Sequence, residues 1–507
     1  MSEFDAPKDG TMRKRVLSGA GWAGFSQVAL QLTRMVVAIL VARLLTPEDY
    51  GLAALTLVFA SLVLVFSDLA LGAALVQRKT ITEDDRSTAF WVTVGAGVLF
   101  TVLGVALSGP MSELYGQPRT QPLFAVLSAS FLISSLGATQ QALLLREMNF
   151  RRLEGLTVVG AFAAAPVAIA MAAAGFGPWA IIAQNIAIAA ITSALMWRAS
   201  SWRPQLRFSK KSLRDLWSFS SFLVGHRLLF YVNVNADNFI IGRWVGAAAV
   251  GAYAIAYNVM LAPAARIGAP LQRVLAPTFS RMQDEPARIA EAWARVVRMI
   301  AAIAVPALGG IIIVANEFVG VLLGEKWMAV APILQVLAWV GILQALQSIN
   351  VDVLMARDKT RWIFRYTVAY TTLHVTAFAI GVHWGVMGVA VGFAITSTLV
   401  EPALTIMTAR VLGVSPMVFV RAVSGVFQAA GGMMVALLFI REGLLESGVP
   451  AAAVLAILIA LGVVIYLPLL AWRAPEVVRD ARSLLPGRFG GKRAARPEPG
   501  GAVLAET

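Results

Sequence analysis

Val449-Pro-Ala-Ala-Ala-Val-Leu-Ala-Ile-Leu-Ile-Ala-Leu-Gly-Val-Val-Ile-Tyr-Leu-Pro-Leu-Leu-Ala-Trp472 is a run of 24 residues without a single charge. A helix needs about 20 apolar residues to cross the hydrocarbon core of a bilayer, so this stretch reads as a transmembrane helix. Runs of the same kind recur upstream as far as Val16, separated by short charged or Pro/Gly-containing breaks. They place helices at 16–42, 51–76, 87–109, 121–145, 155–174, 178–197, 217–241, 248–276, 298–316, 329–355, 362–382, 386–410, 419–441 and 449–472. The expected fold class is an all-α polytopic membrane protein with about 14 transmembrane helices.

Composition agrees. Of 507 residues, 58% are hydrophobic and 14% charged, with a mean hydropathy of +0.75, whereas soluble domains carry about 25% charged residues. The absence of cysteine removes disulfides, thiolate metal sites and cysteine nucleophiles, and three histidines leave little for a metal cluster. There is no Gly-rich Lys-Ser/Thr loop for nucleotide, and no connection is long enough for an ATPase domain. No catalytic residue, cofactor or metal is therefore expected; the chain reads as a transporter and not as an enzyme. Met1–Arg15 is polar, and the first apolar stretch has helix length without a small-residue cleavage site, so insertion through that first helix is expected.

The net charge of +14 has a topological origin. With the N-terminus cytoplasmic, 33 of the 42 basic residues fall in cytoplasmic segments, 5 (Arg43, Arg119, Arg243, Lys326, Arg441) fall on the opposite side, and 4 lie within helices. Such a bias places both termini in the cytoplasm. It explains the high pI without a nucleic-acid partner, and a basic inner face favours anionic membrane lipids. The longest cytoplasmic connection, 198–216, is basic and divides the chain after six helices. The expected organisation is a tail at 1–15, an N-lobe at 16–197, a basic linker at 198–216 and a C-lobe at 217–410. Two further helices follow at 411–472, then a basic tail at 473–507 whose composition reads as disordered. A weak internal repeat supports the halves: Arg43-Leu-Leu and Tyr50-Gly51-Leu52 recur 200 residues later as Arg243-Trp-Val and Val250-Gly251-Ala252, as a parallel repeat would require.

Ionisable groups inside a membrane usually face a cavity or a partner. Arg34 sits mid-helix with Gln27 and Gln31 on nearly the same face. Arg266 and Arg273 share a face of helix eight, where Pro263, Pro270 and Pro277 would loosen the helix. Helix seven carries His226, Arg227, Asn233, Asn235, Asp237 and Asn238, and helix ten carries Gln344, Gln347 and Asn350 with Asp352 close by. These side chains would enclose a cationic, hydrogen-bonding cavity. Guanidinium pairs bidentately with phosphate oxygens, and the amides would meet sugar hydroxyls. The candidate substrate-binding residues are Arg34, Arg227, Arg266, Arg273, Asn233, Asp237, Gln344, Gln347 and Asn350; Asp68 and Asp352 are candidates for ion coupling. The competing reading pairs the arginines internally, Arg227 with Asp237 and Arg34 with Asp68. Glu401 is a further intramembrane acid, Trp179, Trp327 and Trp384 read as interfacial anchors, and Glu83-Asp84-Asp85 reads as a solvated charge run.

Four segments carry a family resemblance: Leu44-Leu-Thr-Pro-Glu-Asp-Tyr-Gly51, Asn235-Ala-Asp-Asn-Phe-Ile-Ile-Gly-Arg243 with Gly251-Ala-Tyr253, Pro277-Thr-Phe-Ser-Arg281, and Gly324-Glu-Lys-Trp327. In this order and spacing the chain resembles the Wzx-like flippases, the polysaccharide transporter branch of the multidrug/oligosaccharidyl-lipid/polysaccharide exporter superfamily. The resemblance implies two six-helix lobes around a cationic cavity. It also implies transfer of undecaprenyl-diphosphate-linked oligosaccharide across the inner membrane by alternating access, for exopolysaccharide, capsule or O-antigen (lipopolysaccharide) synthesis. Polysaccharide polymerase and export machinery would be partners, and H+ or Na+ the coupling ion. The alternatives are a cation-coupled multidrug exporter and a membrane-embedded glycosyltransferase or polymerase; the latter would need catalytic carboxylates near an interface or a sizeable extramembrane loop.

Overall fold

A computed structural model of the chain describes residues 36–67, 71–78, 80–147, 149–214, 231, 234–261, 282 and 285–484. Among these residues the regular structure is helical and no strand is present. Helices stand at α1 (36–44), α2 (Pro47–Ser67), α3 (Leu71–Gln77), α4 (Glu83–Tyr115), α5 (Thr120–Arg146), α6 (Phe150–Ala173) and α7 (Trp179–Ala199). They continue with α8 (234–244), α9 (Ala247–Leu261), α10 (Pro286–Leu322), α11 (Val330–Gln347), α12 (Asn350–Ala356), α13 (Thr360–Gly381), α14 (Gly385–Leu412), α15 (Met417–Glu446), α16 (Ala451–Arg473) and α17 (Pro475–Leu484). Wherever an expected helix falls within the described residues it is met by helix, interruptions aside; 16–35, most of 217–233 and 262–276 lie outside them.

The departures have local causes. The span expected at 298–316 is the inner part of α10, which begins at Pro286 and runs for 37 residues. Its first turns bury Ile289, Trp293, Val296 and Val297 while Arg288 and Arg295 remain exposed, so a search for unbroken apolar runs passes over them. The span expected at 329–355 is interrupted at Ser348–Ile349, between α11 and α12. The start of α4 corrects another expectation. Thr82 and Asp85 form a capping box, with Asp85 N donating to Thr82 Oγ1 at 3.2 Å and Thr82 N donating to Asp85 Oδ2 at 2.9 Å. Asp85 is buried and pairs with Arg78 at 3.1 Å, so the acidic run is not simply solvated.

Helices α2–α7 pack on one another, as do α10–α16. In lipid, association depends on close packing because tails are as apolar as leucine, and small residues supply it. Gly97 and Gly104 of α4 receive Ser135 and Ser128 of α5, and Gly160 of α6 receives Thr192 of α7; an added Cβ at any of the three would overlap the facing hydroxyl. In the second group Tyr466 Oη donates to Ala302 O at 2.8 Å, and Arg441 of α15 donates through Nε to Glu317 Oε1 of α10 at 2.9 Å. The helix α17, absent from the sequence expectation, folds back so that Glu476 and Asp480 flank Arg298 of α10. A single hydrophobic cluster joins the groups, with Leu52, Leu55 and Phe59 of α2 beside Ile240, Val250, Tyr253 and Trp327.

Candidate functional site

The joining cluster is built by two turns that mirror each other. Thr46 caps α2: Asp49 N donates to Thr46 Oγ1 at 3.1 Å, and the hydroxyl donates to Asp49 Oδ2 at 2.8 Å. Gly246, at φ 110°, turns α8 into α9. The starts of α2 and α9 then cross so tightly that an added Cβ on Gly51 would overlap the carbonyl of Ala247, and one on Gly251 the carbonyl of Pro47. Each Cβ would also lie 3.0 Å from the other glycine's amide nitrogen. Pro47 and Ala247, like Gly51 and Gly251, are 200 residues apart. Residues 200 apart in the sequence therefore meet in a reciprocal contact.

A latch closes over this crossing. Trp327, 1% exposed, donates its indole N–H to Ala42 O at 2.8 Å, and Lys326 Nζ donates to Arg43 O at 2.8 Å. Residues following α10 thus satisfy carbonyls that the end of α1 would leave free. Tyr50 meets the Trp327 ring edge-on, with centroids 5.7 Å apart. Trp327 is consequently a core residue and not an interfacial anchor; Trp384 remains exposed. Three of the four resemblance segments converge here; the fourth, 277–281, lies outside the described residues.

A buried cluster of carboxyls and tyrosines is carried by α8, α9, α13 and α14. Asp237 is 3% exposed, and its Oδ1 accepts the Asn238 amide at 2.7 Å. Tyr253 and Tyr257 stack beside it at 6.1 Å. Tyr366 Oη donates to Glu401 Oε2 at 3.4 Å, and Glu401 is also 3% exposed. Tyr370 lies close to Glu401, Gln344 and Tyr257. Below it, His374 Nδ1 donates to Tyr370 O at 2.7 Å, which leaves Nε2 to accept from Ser397 Oγ at 3.1 Å. Among the described residues no basic side chain pairs with Asp237 or Glu401.

The sequence candidates divide accordingly. Arg34, Asp68, Arg227, Asn233, Arg266 and Arg273 lie outside the described residues. Asp237 is part of the cluster, and Gln344 reaches it through Tyr370. Gln347 and Asn350 are placed elsewhere, in a buried knot between α10, α11, α12 and α14: Trp293 Nε1 donates to Asn350 Oδ1 at 2.7 Å, Asn350 donates to Gln347 Oε1, and Thr405 Oγ1 donates to that oxygen at 2.9 Å. Asp352 is half-buried, and among the described residues its Oδ2 has no partner. Sequence reading missed Tyr253, Tyr257, Tyr366 and Tyr370. Their signal was spacing: Tyr253/Tyr257 and Tyr366/Tyr370/His374 recur every four residues, on one helix face.

Comparison with known proteins follows this geometry. The family described as "Polysaccharide biosynthesis protein" matches residues 40–332. The lipopolysaccharide biosynthesis protein WzxC of Escherichia coli is 29% identical over 77% of this chain and 80% of its own length. The teichuronic acid biosynthesis protein TuaB of Bacillus subtilis is 29% identical, over 77% and 81%. The succinoglycan biosynthesis transport protein ExoT of Rhizobium meliloti is 25% identical, over 64% and 66%. Among solved structures, a lipid II flippase MurJ in an inward closed conformation superposes with a TM-score of 0.72 at 14% identity, over 91% of this chain and all of that one. An inward-facing MATE family transporter of the MOP superfamily superposes at 0.61 with 15% identity, over 77% and 98%. These likenesses show a shared fold, and with the apolar helices they make this a multi-pass membrane protein.

Proposed function

The chain belongs to the polysaccharide biosynthesis protein family, and from that premise we propose that it is a flippase. Its cargo is undecaprenyl-diphosphate-linked oligosaccharide, moved across the bacterial inner membrane for exopolysaccharide, capsule or lipopolysaccharide synthesis. The observation that carries this reading is the reciprocal crossing at Gly51 and Gly251: two repeat-related helix groups pressed together at one end form the closed side of an alternating-access cycle. The basic end faces the cytoplasm, by the 33 to 5 charge bias, and the crossing faces outward. Arg34, Arg266 and Arg273 are assigned to the diphosphate, from the sequence. Asp237 and Glu401 are assigned to H+ or Na+, since a carboxyl buried among hydroxyls and amides is costly to leave charged and alone. Names among the relatives support the pathway: lipopolysaccharide biosynthesis for one, succinoglycan transport for another.

The test is export in a deletion strain complemented with Arg266→Ala plus Arg273→Ala. Export should fall to the level of the deletion while the protein still reaches the membrane; wild-type export would remove the arginines from the mechanism. A second reading, a cation-coupled exporter of small molecules, draws on the same two carboxyls and on the likeness to MATE transporters. Altered drug susceptibility in the deletion strain, with polysaccharide unchanged, would favour it.

A further inference from the structure

The connection between the two helix groups does not hang free. Beyond α7, residues 200–212 lie along the first turns of α4 and are bonded to it at several points. Trp202 Nε1 donates to Glu83 Oε1 at 2.6 Å, Gln205 N to Ser87 Oγ at 3.2 Å and Ser209 N to Thr88 Oγ1 at 2.9 Å, while Trp91 Nε1 donates to Gln205 O at 2.8 Å. With the strap fixed on this side, its apolar side chains are held outward: Leu206 is 91% exposed and Phe208 56%. Around them Arg203, Arg207, Lys210, Lys211 and Arg214 are exposed, with Arg207 4.0 Å from the exposed Asp84 carboxylate of α4. Aliphatic and aromatic side chains presented by a hydrogen-bonded backbone amid cations are the chemistry of a membrane-surface anchor.

The height of the strap fits that chemistry. At 33 residues α4 is about 50 Å long, well beyond a hydrocarbon core of about 30 Å, so its first turns lie at headgroup level. Trp91 is about 12 Å from the start of α4, on the face that continues through exposed Val98 and Val102 toward lipid. Phe90, Trp91, Trp197 and Trp202 gather there, with centroids 5.2 to 6.1 Å from Phe90, as aromatic residues do at a membrane–water boundary.

We propose that residues 202–211 form an interfacial anchor that seats Leu206 and Phe208 in the headgroup boundary of an anionic leaflet, with Arg207, Lys210 and Lys211 on lipid phosphates. The occupant of this surface is bilayer phospholipid carrying net negative charge. The anchor fixes the end of the first helix group at the membrane surface.

The chain contains no cysteine, so Leu206→Cys carries an environment-sensitive fluorophore at one site, on a side chain whose exposure makes the change harmless to folding. The full-length protein is reconstituted in discs of phosphatidylcholine alone or mixed with phosphatidylglycerol. In the anionic discs the emission should shift to the blue and be quenched by lipids spin-labelled just below the headgroup, more than in neutral discs. Arg207→Gln, Lys210→Gln and Lys211→Gln together should abolish that difference without lowering the melting temperature. A label that stays quenchable by aqueous iodide in anionic discs, or one equally buried in both lipids, overturns the proposal. Protection seen only in native membranes overturns it also, by giving the surface to a protein partner.

Discussion

Gly51→Ala adds one methyl group where the starts of α2 and α9 cross, and the atom it meets is the backbone carbonyl of Ala247. No rotamer change relieves a clash with backbone, so the two helix groups must part. Overpacking of this kind costs about 1–3 kcal/mol, which is about 5- to 150-fold in an equilibrium between closed and open crossings. The gain in helix propensity from Gly to Ala acts on α2 in both states and cancels. The reciprocal relation adds a sharper condition. Gly251→Ala meets the carbonyl of Pro47 in the same way and should have nearly the same effect, yet one separation accommodates both methyl groups. The double variant should therefore fall short of the product of the single effects, as contacting residues do. The assay is the rate at which a maleimide labels Ala42→Cys, a buried position beneath the Trp327 latch in a chain without other cysteines. Each single variant should raise the rate within the stated range. Unchanged rates in well-expressed variants, or a double effect equal to the full product, would refute a reciprocal crossing that opens.

Asp237→Asn and Glu401→Gln should each lower ion-driven transport in proteoliposomes by about 5- to 150-fold, the span of a 1–3 kcal/mol coupling, with membrane insertion intact; unchanged transport would remove them from coupling. Asn350→Ala leaves the buried Trp293 indole N–H without its acceptor and should cost about 1–3 kcal/mol, read as a lower melting temperature with transport per folded molecule retained. A loss of transport at unchanged stability would return Asn350 to the cavity. Arg441→Met strands Glu317 in the interior and should destabilise by about 3–5 kcal/mol, measured by thermal unfolding in detergent; a neutral result would mean that water reaches the pair.

The helices were legible because a membrane demands long uncharged runs, and such runs end at recognisable breaks. What escaped was helix that leaves the membrane, where the pattern becomes amphipathic, as at the start of α10 and in α17. The strap at 200–212 escaped as well: its basic, Ser/Pro-containing composition reads as a linker between the halves, and only the hydrogen bonds to Ser87, Thr88 and Trp91 show it docked. At the candidate site, intramembrane polarity pointed to Asp237 and Gln344 but also to Gln347 and Asn350, which satisfy one another in a helix seam. Polarity marks residues that need a partner without saying whether that partner is protein or cargo. Tyrosines drew no attention because in membranes they so often sit at the interface, and the motif residues Gly51, Gly251 and Trp327 carried a resemblance whose physical meaning lay in contacts between distant parts of the chain.

The most direct measurement of the flippase reading is made in a deletion strain: surface polysaccharide, and the amount, length and leaflet of lipid-linked oligosaccharide in the inner membrane, with and without the wild-type chain. The account predicts lost polysaccharide and complete repeat units trapped on the cytoplasmic leaflet, both reversed by complementation. Truncated lipid-linked sugars would contradict it by making the chain an assembly enzyme, and unchanged polysaccharide with unchanged lipid-linked pools would contradict it outright.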